Sequence, residues 1–355
     1  MRPVLALLGL ALVGACSSSA SPPAGFGTNG DDSTGTQGAP DGGVAGEGDG
    51  GAVSSSGGSG SGSGGSTRDA GSQYAAVCAT AGQALCGRVQ GCWPSLVLEE
   101  YGDVASCAQR FALQCEGQLS APHTGWTPSY VQACYAAIAA GSCASYFDGT
   151  LPAACTAPGG GVADGSACGE SGQCGANSTC RKAKGSYCGT CTPRAAMGAS
   201  CTSADCEPGL VCNSSSVCAS YVQQTGGSCS ATNPCGYPLH CKGGKCVAGA
   251  QAGGACSSTS DTCDVTAGLY CDTTTSSCQP VKFVSAGASC GQSGGSLNVC
   301  DDGTYCSGTS GAATGTCTAP AAEGAACDAS AGPYCMAPAY CNGGVCTLPD
   351  ASSCH

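Results

Sequence analysis

The chain of 355 residues carries 35 cysteines and 60 glycines, and only 5% of it is aromatic. A formal charge of −12 argues against nucleic acid or an anionic membrane surface as partner, since both are recognised through basic patches. Cysteine at this density belongs to an oxidising compartment, where disulfides form and persist, so the chain reads as exported.

Residues 1–15 place one positive charge, Arg2, ahead of an apolar run over residues 4–13 that is too short to span a bilayer as a permanent helix. This is the pattern of a secretory signal peptide. It ends in Val13-Gly14-Ala15-Cys16, an aliphatic residue and two small ones before a cysteine, which resembles the lipobox of bacterial lipoproteins. The resemblance implies lipidation of Cys16, which becomes the new N-terminus, and no cofactor beyond that lipid is expected. Ser17 in place of Asp implies, by the same resemblance, a lipid anchor in the outer membrane, with the protein exposed at the surface. Each buried methylene contributes about 0.8 kcal/mol, so several acyl chains on one residue hold stably. Residues 16–73 comprise this cysteine and a tether of Gly, Ser, Ala, Thr and Asp, which cannot bury enough apolar surface to offset ordering entropy and is expected to be disordered. As a Gly/Ser coil its root-mean-square reach is roughly 40 Å.

Composition changes at Tyr74, and residues 74–157 read as a small helical domain. Tyr74, Val77, Cys78, Ala81, Leu85, Cys86, Val89 and Cys92 follow the 3.6-residue period and predict one helix that stops before Pro94. Asp103 is the N-cap of a second, with Val104, Cys107, Phe111, Cys115 and Leu119 along one face. Thr127-Pro128 opens a third, which carries Val131, Cys134, Tyr135 and Ile138 and ends at Gly141. Cys143 and Cys155 complete an even set of eight, consistent with four bridges stapling the helices face to face. Trp93, Leu96, Val97, Leu98, Phe111, Trp126 and Phe147 are the expected core.

Residues 158–355 are a different material, poor in large apolar residues and rich in Gly, Ser, Ala, Thr and Cys. A Gly-rich step followed by four cysteines recurs six times, with first cysteines at Cys168, Cys201, Cys229, Cys256, Cys290 and Cys327. The first copy has a fifth cysteine and Cys354 follows the last, so that 17 bridges are possible once Cys16 is set aside. Each bridge contributes roughly 2–4 kcal/mol by constraining the unfolded chain, the evident source of stability for units this small. The third cysteine often follows an aromatic, as in Leu269-Tyr270-Cys271, and turn formers such as Gly243-Gly244 and Gly343-Gly344 precede the fourth. Those are signals of short two-stranded hairpins. Four cysteines allow three pairings per copy and spacing selects none. First-to-third with second-to-fourth is expected by analogy with many small extracellular modules. The predicted fold class is thus small, disulfide-rich and multidomain: a stapled helical domain, then six β-hairpin cystine modules in a semi-rigid rod.

Pro338-Ala339-Tyr340-Cys341-Asn342-Gly343-Gly344-Val345-Cys346 and Leu239-His240-Cys241-Lys242-Gly243-Gly244-Lys245-Cys246-Val247 resemble the closing segment of the Dickkopf N-terminal cysteine-rich domain. The spacing of Cys201, Cys206 and Cys212 is similar to that family's first cysteines. The likeness covers only the C-terminal half, lacks the family's adjacent Cys-Cys pair, and repeats six times where one domain is expected. It implies an extracellular disulfide scaffold and leaves function open.

Motifs with chemistry are few. Cys188-Gly189-Thr190-Cys191 matches the CxxC of thiol-disulfide oxidoreductases, but no βαβ pattern surrounds it, and a framework role is the expectation. Zinc binding would need reduced thiols, which export opposes; His123, His240 and His355 stand at no metal-ligand spacing. Gly291-Gln292-Ser293-Gly294-Gly295 fits GxSxG without the strand–turn–helix context that exposes a nucleophile. Asp301-Asp302-Gly303 reads as a turn rather than a calcium loop. The sequence therefore points to a non-enzymatic lipoprotein that contacts an extracellular protein or polysaccharide, with Tyr237, Leu239, Tyr270, Tyr305 and Tyr340 as candidate exposed contacts. The alternatives are inhibition of a secreted protease and, third, redox catalysis through Cys188 and Cys191.

Overall fold

A computed structural model describes residues 73–354 apart from 148, 184–185, 258–262, 294 and 309–313; Cys16, the tether and His355 lie outside the described residues. The apolar period of the first helical stretch produces α1 (Ala75–Cys92), whose buried face is Cys78, Ala81, Leu85, Cys86, Val89 and Cys92. Pro94 ends that helix and also starts a new one, α2 (Pro94–Tyr101), because proline's fixed φ suits the first helical turn. α3 (Val104–Ser120) begins at Asp103, whose carboxylate accepts from Ser106 N at 2.7 Å, and α4 (Pro128–Ala140) begins at Thr127, whose hydroxyl accepts from Tyr130 N. A short α5 (Cys143–Phe147) follows.

α1 and α3 run antiparallel, tied by Cys78–Cys115 and Cys86–Cys107. Their approach is close enough that a Cβ on Gly82 would lie 2.5 Å from Ala108 O, so glycine is required there. Cys92–Cys143 joins α1 to α5 and Cys134–Cys155 closes the end of the unit. Trp93, Leu96, Val97, Phe111, Trp126 and Phe147 are buried as expected, and Leu98 is half-buried.

After this helical hub come six copies of one small unit. In each, the first and third cysteines pair and cross the bridge between second and fourth, as in Cys201–Cys212 with Cys206–Cys218 and Cys229–Cys241 with Cys235–Cys246. The third and fourth cysteines face each other across a two-stranded antiparallel hairpin, for example Cys241↔Cys246 and Cys341↔Cys346. A third element completes the unit. A glycine with φ near +80°, at Gly165, Gly198, Gly226, Gly253, Gly287 and Gly324, donates its N–H to the carbonyl of the last hairpin cysteine: Cys191, Cys218, Cys246, Cys278, Cys317 and Cys346. Only glycine takes that backbone without strain, so the Gly-rich step is a structural requirement. The first unit is the variant: Cys168 pairs with Cys180, Cys174 with Cys191, and Cys188 reaches to Cys354, 166 residues on. The 17 bridges together take every cysteine after Cys16. The fifth unit is the largest, a five-stranded sheet in which strand Lys282–Val284 runs parallel to Ser296–Cys300 on one edge.

The units do not extend as a rod, and this corrects the sequence expectation. They wrap around the hub, docking mainly through the segment between second and third cysteines, where backbone groups and a few side chains meet the helices. Tyr237 of the third unit stacks on Trp93 with ring centroids 4.8 Å apart. Val265 and Thr266 of the fourth offer carbonyls to the Ser95 hydroxyl. Asp302 and Gly303 of the fifth donate their N–H groups to Leu98 O and Glu99 O at the C-terminus of α2, where Leu98 O also accepts from Gly102 N. Met336 and Ala337 of the sixth accept from Arg110, which also pairs with Glu323 at 2.5 Å. The first unit joins through Gln173 Nε2 to Pro122 O and Gly125 N to Gly172 O, both 2.8 Å.

Neighbouring units also touch head to tail. Arg181 of the first bonds Thr202 O of the second, and Asn213 of the second bonds Thr232 O of the third. Tyr270 of the fourth donates to Gly295 O of the fifth, and Tyr305 of the fifth packs edge-on against Tyr334 of the sixth. The circuit closes where the sixth unit meets the first.

Candidate functional site

The closure joins Cys188 to Cys354, with their Cα atoms 5.4 Å apart. Beside it Tyr187 of the first unit stacks on Tyr340 of the sixth, 5.1 Å between centroids and 17° between planes. The Tyr187 hydroxyl donates to Glu170 Oε1 at 3.0 Å, and Lys182 Nζ sits 4.3 Å above the Tyr187 ring and 4.0 Å from the same carboxylate. Glu170 is buried, with Lys182 as its ion-pair partner. Ala351 is also buried here and lies so close to Gly169 that an added Cβ would come within 2.6 Å of its Cα.

This geometry places the CxxC residues plainly. Cys188 and Cys191 are not bonded to each other; Cys188 holds Cys354 and Cys191 holds Cys174 across the first unit. Cys191 lies within a β-strand, Gly189–Pro193, away from any helix N-terminus that would lower a thiol pKa. The sulfur clusters within the units, such as Cys168, Cys174 and Cys191, are the crossed bridges themselves. Gly291–Ser293 of the GxSxG match lies in a strand paired antiparallel with Ser296–Asn298, not at a strand–turn–helix junction.

Of the five candidate contact residues, none is fully exposed. Tyr237 packs between Trp93 and Phe147, Tyr340 on Tyr187, and Tyr305 on Tyr334, while the Tyr270 hydroxyl is spent on Gly295 O. Burial, with the Asp272 charge second, raises the Tyr270 phenol above its ordinary pKa. Leu239 is half-buried in its own unit. The tyrosines therefore stand at joints between units and hub, which corrects their reading as free contacts. Among the described residues the large apolar side chains left exposed are Met197 and Val345.

An apolar groove opens where hub and modules meet. It has a volume of about 790 Å³ and is walled by Pro94 and Leu98 of α2, Val104 at the start of α3, and Pro280, Val281 and Phe283 of the chain entering the fifth unit. Gln90, Ser95 and Asp103 supply polar groups around it. The Asp103 carboxyl is held below its usual range by the Ser106 hydrogen bonds and is charged at neutral pH. Sequence reasoning missed this groove because its walls come from segments nearly two hundred residues apart. The runs Leu96-Val97-Leu98 and Val281-Lys282-Phe283 are the signals that a search for apolar segments outside the cysteine framework would find.

No family model, no curated protein and no solved structure matches the chain.

Proposed function

We propose that the protein is an exported, non-enzymatic contact protein, held to a bacterial outer membrane by acyl chains on Cys16 and presenting a disulfide-closed head beyond a Gly/Ser-rich segment. The Dickkopf-like cysteine spacing belongs to its scaffold and not to its function. The observation that carries the reading is the commitment of every cysteine after Cys16 to a bridge, together with the spending of the module tyrosines on internal joints. Among the described residues, the groove between α2 and the fifth unit, apolar on its walls with a few polar groups at its rim, is the surface we assign to recognition. The ligand is an extracellular protein segment or polysaccharide with an apolar face.

The test is a binding screen of the purified, fully oxidised chain against extended peptides and envelope polysaccharides, repeated with Phe283→Arg and with Lys242→Glu. A ligand whose affinity drops at least tenfold with Phe283→Arg and is unchanged by Lys242→Glu supports the groove. Equal binding by both variants, or no ligand at millimolar concentration, sinks it.

A further inference from the structure

The bridge between Cys188 and Cys354 differs from the other described bridges in what happens after it opens. Each unit holds two crossed bridges, so that when one is reduced the other keeps the freed sulfurs together and reclosure is fast. Within the hub seven of the eight bridged cysteines are buried, and the eighth, half-exposed Cys143, is bonded to buried Cys92. Cys354 has neither protection. It is half-exposed, lies eight residues beyond the last crossed bridge at Cys346, and no second bridge among the described residues joins the first unit to the sixth. Once the bridge opens, only the non-covalent seam of Ala351 against Gly169 and Tyr187 on Tyr340 brings the freed sulfurs back together. Access alone does not single it out, because Cys212, Cys241 and Cys306 are more exposed; the rate of reclosure does.

We propose that Cys188–Cys354 is the site at which a dithiol reductant acts on this protein, opening the ring while the remaining bridges stay intact. One thiolate of the dithiol attacks Cys354 Sγ, forms a mixed disulfide and expels Cys188 as a thiolate, which takes up a proton. The second thiol then attacks the mixed disulfide, freeing Cys354 as a thiol and leaving the reductant as its own disulfide, two electrons transferred. The first and sixth units then remain in contact through the Tyr187–Tyr340 stack and Ala351 against Gly169, and the sixth stays on the hub through Arg110. The ring becomes a clasp that can part along that seam, uncovering two tyrosine faces and the buried Glu170. This inference is independent of the groove and of any ligand for it.

The experiment is a titration of the full mature chain with dithiothreitol under native conditions, followed by alkylation and peptide mapping. Cys188 and Cys354 are expected to reach half-labelling at a dithiol concentration at least tenfold below that for any other cysteine. Co-labelling with Cys212, Cys241 or Cys306, or labelling of Cys188 and Cys354 among the last, overturns the proposal. Tyr340→Ala removes the stacked ring and touches no cysteine. It is expected to lower the threshold for Cys188 and Cys354 severalfold further, and an unchanged threshold would refute the role given to reclosure at the seam.

Discussion

Tyr237→Ala tests whether the units are bound to the hub or merely lie beside it. The ring stacks on Trp93 at 4.8 Å and 22° and tilts against Phe147 at 4.8 Å, and Trp93 is only 1% exposed beneath it. Removing a fully buried aromatic costs about 3–5 kcal/mol. Tyr237 is half-buried, which brings the expectation to about 2 kcal/mol, including the aromatic pairing of about 0.5–1.5 kcal/mol. Because 1.4 kcal/mol is a factor of ten, the ratio of docked to undocked third unit should fall by about 30-fold. The crossed bridges Cys229–Cys241 and Cys235–Cys246 keep the unit folded, so the effect is confined to docking. Trp93 and Trp126 are the two tryptophans, so Trp93 emission can be isolated in a Trp126→Phe background. In that background Tyr237→Ala should red-shift the emission and increase acrylamide quenching severalfold with every bridge retained. Unchanged emission and quenching would mean that the contact contributes nothing and that the wrapped arrangement is held by other means.

Two more perturbations act on hub contacts. Burial, with Glu100 second, raises the Glu99 carboxyl to about 7. A raised acid favours its protonated form in the folded state, so Glu99 costs no stability below about pH 4.5, an increasing amount between there and pH 7, and a constant amount above. Glu99→Gln should therefore raise thermal stability at pH 8 by about 1–2 kcal/mol and leave it unchanged at pH 4; equal effects at both pH values would refute this. Arg110→Ala withdraws donors from Met336 O and Ala337 O at a cost of about 1–3 kcal/mol, read as faster hydrogen exchange in the sixth unit. Its partner Glu323 is partly exposed, so that ion pair adds about 1 kcal/mol or less. Burial raises the Glu323 carboxyl, but the Arg110 hydrogen bond and charge outweigh it and the net shift is downward. The ion pair's share is present above the unfolded carboxylate pKa and is lost as pH falls through the lowered one. A hydrogen-exchange rate in the sixth unit that Arg110→Ala leaves unchanged would remove Arg110 as a tie.

Local chemistry was legible wherever one residue type dictates one geometry. Asp103 and Thr127 mark helix starts because their side chains accept the first free N–H groups, and both do so. The cysteine repeat gives six units, and the crossed pairing expected by analogy is the one that forms. The sequence did not reveal α2, because Pro94 reads equally as the end of one helix and the start of the next. Nor did it reveal the wrapping, since nothing local to Tyr237 distinguishes an exposed aromatic from one stacked on Trp93, 144 positions earlier. The two surplus cysteines, Cys188 and Cys354, were visible as surplus. Their pairing required the closed circuit, a property of all six units and not of either residue. The groove was illegible for the same reason, being a gap between parts that only the wrapping brings together.

Cysteine dominates the interior of the units, joined in some by a few small or aliphatic side chains such as Ala195, Leu269 and Ala339. The first unit is built around Cys168, Cys174, Cys180 and Cys191 with Val162 at its edge, and the fifth around Cys290, Cys300 and Cys317. Ordinary domains gain about 12–15 cal/mol/K per residue in heat capacity on unfolding, because buried apolar groups meet water. A unit with so little apolar surface to expose gains much less, and its free energy of unfolding varies only gently with temperature. Its folded state should thus persist from near freezing to well above the range of ordinary domains of its size, with redox potential, rather than temperature, as the variable that ends it.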